Sequence, residues 1–206
     1  MRAIATRDVP DEVLHQFRDE LHPEFDLDVN GGRVVLLSME PPSWIHFIAQ
    51  ADWWIQGLAA YSAIYVAEIV KEAAKDTWRG RGTIISTAVG VGNKLRSLAG
   101  KFINLRNRLS SRTDLIIGLP IPDEHFGAHF ELTATNADEL SLEIALFVYH
   151  IPAILNLIEV EGLNRRKPAT GTFLTLLPSG ALQVTWFDSE RLEKEERVLS
   201  LNDEAQ

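Results

Sequence analysis

Residues 83–109 read TIISTAVGVGNKLRSLAGKFINLRNRL. Ile84, Ala88, Val91, Leu95, Leu98, Phe102, Leu105 and Leu109 recur there at alternating intervals of four and three residues. That spacing places one apolar seam along a helix for more than three heptads. Upstream, residues 44–78 read WIHFIAQADWWIQGLAAYSAIYVAEIVKEAAKDTW, with no proline and Gly57 as the single glycine. Pro41-Pro42-Ser43 precedes them, with Ser43 placed as an N-cap. Arg79-Gly80-Arg81-Gly82 is a turn short enough to fold the two stretches back on each other. The expectation is a long antiparallel helical hairpin over about 43–109.

Outside this hairpin the pattern changes to strands and shorter helices. Ala3 to Thr6 reads as a strand, and Asp11 to Leu21 as a helix with Val13, Leu14, Phe17 and Leu21 on one face. Phe25, Leu27 and Val29 alternate with acids, and Asn30-Gly31-Gly32 then predicts a hairpin turn into a strand over Arg33 to Met39. Leu115 to Leu119 and Ala128 to Ala134 are further strands. Asn136 caps a helix from Ala137, with Glu139 at its third position and Pro152 set to kink or break it before Gly162. Thr172 to Leu177 and Ala181 to Phe187 flank Pro178-Ser179-Gly180 as a last hairpin, with Arg197 to Leu201 as an edge strand. The fold class is therefore α+β: an antiparallel or mixed sheet built from both chain halves around the central hairpin. One domain spans 1–201, and 202–206 form a disordered tail.

The apolar stretch from Trp44 to Val70 belongs inside protein or lipid, because it is apolar on nearly every face. Its longest charge-free run, between Asp52 and Glu68, is 15 residues, short of the ~20 that span a bilayer. A core helix is the reading it favours; reversible insertion into a membrane is the alternative. Asp52 either lies at an edge or is paired by the basic helix that follows.

Charge is segregated. The net charge of -9 opposes binding to nucleic acid or anionic lipid. Yet every charged residue from Thr77 to Thr113 is basic: Arg79, Arg81, Lys94, Arg96, Lys101, Arg106, Arg108 and Arg112. The following block to Asn164 is acidic throughout, from Asp114 to Glu161. Lys94, Lys101 and Arg108 fall seven apart and line one edge of the seam. Such a row either pairs with acids inside the protein or captures an acidic partner. Arg79, Arg81, Lys94, Lys101 and Arg108 are the candidate binding residues.

Chemical motifs are weak. With no cysteine, thiolate catalysis and disulfides are excluded. Gly90-Val91-Gly92-Asn93-Lys94 lacks the adjacent Gly-Lys-Ser/Thr of a phosphate loop. His125, His129 and Glu131 form the one His–carboxylate group that suggests a metal, within a segment where polar residues are expected anyway. His46 and His150 read as core histidines in apolar helices. No cofactor is implied. The expected protein is cytoplasmic, by its lack of a secretory signal, and non-catalytic: an interaction or regulatory protein using the hairpin's basic edge. Its expected partner is another protein, or a second copy meeting it through helices. A membrane-active protein that releases the hairpin is one alternative, and an enzyme whose site is assembled from distant residues is the other.

Overall fold

The computed structural model describes residues 1–30, 32–34, 43–48, 93–110, 113–119, 128–163, 171–188 and 191–201. Eight described strands form one mixed sheet: β1 (Arg2–Thr6), β2 (Arg33–Val34), β3 (Ser43–Ile48), β4 (Thr113–Leu119), β5 (Ala128–Leu132), β6 (Thr172–Leu176), β7 (Leu182–Asp188) and β8 (Glu193–Leu199). Their spatial order is β2-β1-β3-β4-β5-β6-β7-β8. The pairs β1/β2, β3/β4 and β5/β6 are parallel, and the other four are antiparallel. Three described helices accompany them: α1 (Asp11–Leu21), α2 (Asn93–Arg108) and α3 (Ala137–Val160). A parallel pair needs a crossover; α2 lies in the one between β3 and β4, and α3 in the one between β5 and β6.

The expected helical hairpin is the main correction. Ser43–Ile48, where its first helix was to begin, is a strand between β1 and β4. Ile45 and Phe47 point to the core and Trp44 and His46 to the opposite face, the two-residue period of a strand. The segment is apolar on both faces, and a short run of that kind fits a buried strand and a helix equally well by sequence. Residues 49–92 lie outside the described residues, and with them Asp52, Gly90 and most of the apolar stretch. The second helix is described from Asn93. Leu95, Leu98, Phe102 and Leu105 of its seam are fully buried, so the seam is a core stripe. It is packed by α1 and α3 and meets the sheet through Phe102.

Aromatic rings join these layers. Phe17 of α1, Phe47 of β3 and Phe102 of α2 form a triangle with centroid separations of 5.4, 5.1 and 5.3 Å. Such tilted and edge-on contacts are the favoured geometry for buried rings. Helix α3 is apolar on most faces because it lies between the sheet and α2. The Asn136 side chain accepts from the Glu139 amide at 2.9 Å, as its capping pattern requires. Pro152 sits inside α3 without ending it. Its ring is exposed, on the side of the helix away from the core. Helix α3 is long and apolar enough to cross a membrane, and most of that stretch is buried within the protein.

A second correction concerns the turn at Asn30-Gly31-Gly32. The segment before it does not pair with the strand after it as a hairpin among the described residues. Asp28 bridges Arg2, and Arg33–Val34 pairs with Ala5–Thr6, each in parallel with β1. A turn signal sets a change of direction but not the partner. The final hairpin does form, with Leu177 and Ala181 closing the turn and Gly180 at φ 82°, where glycine carries no Cβ penalty.

Candidate functional site

The sheet has a helix-covered inner face and an outer face, and the chemistry gathers on the outer one. Strand alternation sends Asp114 and Ile116 of β4, His129 and Glu131 of β5, and Phe173 and Thr175 of β6 to that side. Strands β5 and β6 pair only over Ala128–Phe130 and Thr172–Leu174. Beyond that point they diverge, and a cleft of about 440 Å³ opens. Its lining includes Asp114, Ile116, Glu131, Phe173 and Thr175, with Glu139, Leu142 and Glu143 contributed by α3.

The cleft is acidic: four carboxylates and neither lysine nor arginine line it among the described residues. They are not equivalent. Glu143 accepts from the Thr133 amide at 3.0 Å, the Thr133 hydroxyl at 2.6 Å and the Ala134 amide at 3.1 Å, so it ties the β5–α3 connection to the helix. Arg106 of α2 braces the same connection by donating to the carbonyls of Leu132 and Ala134. Burial raises the Glu131 carboxyl above its usual range, and the charge of Asp114 adds to this while Arg106 opposes it. Phe173, 44% exposed, gives the cleft an apolar flank. Negative potential beside apolar surface suits a cation carried on an apolar stem.

At the cleft wall, to which His129 contributes, the imidazoles of His46 and His129 stack with centroids 4.7 Å apart and planes 24° from parallel. His129 stacks in turn on Phe173 at 5.3 Å. Histidines on β3 and β5 meet across the intervening β4 because Gly118 lies between them. A Cβ at Gly118 would fall 2.0 Å from His46 Nε2. Burial pushes His46 down to about 3, with the charge of His129 acting in the same direction, and burial pushes His129 down to about 4. Both rings are held neutral at pH 7.

The sequence candidates are scattered by comparison. Arg79, Arg81 and His125 lie outside the described residues, and of Lys94 only the helical backbone is described. Lys101 pairs with Glu24 at 3.1 Å and Arg108 with Glu20, both acids on or just after α1. Arg96 pairs with Asp138 at the start of α3. His129 and Glu131 do share a face, but no group of three described residues could hold a metal ion. His46 is a strand residue, and His150 lies on α3 within 3.3 Å of the Gly180 carbonyl. Asp114, Glu139 and Glu143 read in sequence only as members of an acidic block; their convergence with Glu131 depends on how β4, β5 and α3 pack. No family model, no curated protein and no solved structure matches this chain.

Proposed function

We propose that this chain is a non-catalytic interaction protein whose acidic cleft between β5 and β6 receives a basic segment of a protein partner. The supporting observation is the cleft itself: Asp114, Glu131 and Glu139 around an apolar lining that includes no described lysine or arginine. A lysine or arginine side chain matches this chemistry, with its charged head among the carboxylates and its aliphatic stem against Phe173 and Ile116. The basic row of α2 is not the capturing surface in this reading, because Lys101 and Arg108 are engaged with α1.

The test uses a fluorescent peptide of alternating lysine and leucine, measured by anisotropy against the wild-type protein and Asp114→Asn/Glu131→Gln. Binding should weaken about tenfold in the variant, roughly 1.4 kcal/mol, and should weaken further as salt rises. Equal affinity for both proteins would remove the cleft from the interaction.

A second reading rests on the raised Glu131 carboxyl beside Asp114. Two carboxyls in unlike environments can act as acid and base, as in glycoside hydrolysis. Turnover of chromogenic glycosides that disappears in Glu131→Gln would favour it over the binding reading.

A further inference from the structure

We propose that the His46–His129 stack is an acid-operated latch, in which a proton on either ring parts the two and loosens the sheet across β3, β4 and β5. His129 and Phe173 also line the cleft, so the latch borders that site, but its opening needs no occupant there. Its basis is geometric. His46 is 1% exposed, and the stack spans a strand that it does not belong to. The close approach exists only because Gly118 has no side chain.

Two neutral imidazoles can lie face to face in a buried site. An imidazolium there must either give up hydration or swing out to water, and a second charge on its neighbour makes the first worse. The described charged groups on this face of the strands around the stack are Arg2 on β1, Asp114 on β4 and Glu131 on β5; the outward residues of β3 (Trp44, Ile48) and of β6 (Phe173, Thr175) carry no charge. Burial outweighs these carboxylates, since it is the leading influence on both rings and its direction is downward. The sign follows. In an opened state each histidine takes a proton near its ordinary value of 6.5, whereas in the closed state it does so only near 3 or 4. Closure is therefore most favourable above 6.5 and is lost as pH falls toward 4. Between those limits the opened state holds up to two more protons, so the opening constant rises up to about 100-fold per pH unit.

Native-state hydrogen exchange of β3–β5 amides, corrected for intrinsic exchange and followed from pH 7 to 5, reads that constant directly. Wild type should open far more readily at the lower pH, and His129→Phe should show a rise about tenfold smaller per pH unit. The same pH dependence in both proteins would overturn the latch. NMR titration of the wild-type imidazoles covers the case in which His129→Phe does not fold: two rings that stay neutral to below pH 5 support the proposal, and titration of either near 6.5 in the folded protein refutes it. Gly118→Ala adds no titratable group but displaces His46. It should return both titrations toward 6.5, and unchanged titrations would show that the stack is not what holds them down.

Discussion

The ring of Phe130 on β5 lies flat on the ring of Phe147 on α3, with centroids 4.8 Å apart and planes 13° from parallel. Both rings are buried, 1% exposed each. This contact fixes the helix against the strand that carries His129 and Glu131, and so sets the depth of the cleft that α3 helps to line. Phe147→Ala should destabilise the protein by about 3–5 kcal/mol, because a cavity is left between two layers that cannot close on it. Urea denaturation measures the loss. A value below about 1 kcal/mol would mean that α3 does not depend on this contact.

The buried seam of α2 gives a second expectation. Leu98 is fully buried at the centre of the stripe. Leu98→Ala should cost about 2–5 kcal/mol, whereas exposed Asn104 on the same helix should tolerate alanine within about 0.5 kcal/mol. Equal effects at the two positions would place the seam in solvent.

The ion pairs between α2 and the α1 region should register as stability. Lys101→Glu/Arg108→Glu turns two attractions, to Glu24 and Glu20, into repulsions. Each pair is partly exposed, so the combined loss should be about 1–2 kcal/mol and should shrink in high salt. Thermal denaturation at low and high ionic strength checks this. A fully folded, equally stable variant would leave the basic row free for another role.

Glu131 carries an expectation with a definite sign. Its carboxyl titrates above the ordinary range in the folded protein because of burial and the charge of Asp114. A group raised on folding favours the folded state at low pH, and that contribution is lost as pH rises through the folded value. Glu131→Gln should therefore make the protein more stable than wild type at pH 7, with the advantage fading as pH falls below the usual carboxylate range. Denaturation midpoints at pH 7 and pH 4 test it; a variant less stable than wild type at pH 7 would contradict the assigned environment.

Local rules and global packing divide this molecule clearly. The first helix is legible because Leu14, Phe17 and Leu21 repeat on one face and Asp11 and Glu12 favour its N-terminal end. The start of α3 is legible because Asn136 and the Glu139 amide meet within four residues. The last hairpin is legible because Gly180 supplies a positive φ at its turn. Each of these signals is complete within a few residues of chain.

What the sequence determined by itself was thus the set of features whose signals are local: α1, the capped start of α3, the β6–β7 turn and the apolar face of α2, though not the α1 and α3 residues that bury that face. The tertiary structure alone decided that Ser43–Ile48 is a strand, because flanking β1 and β4 supply the backbone partners that a short apolar run cannot specify. It alone decided that Asp28 and Arg33 both turn to β1, and that His46 meets His129 over Gly118. Asp114 and Glu143 likewise reach one cleft from β4 and α3. These are contacts between residues far apart in the chain, and side-chain periodicity records which face a residue occupies but not what lies opposite it.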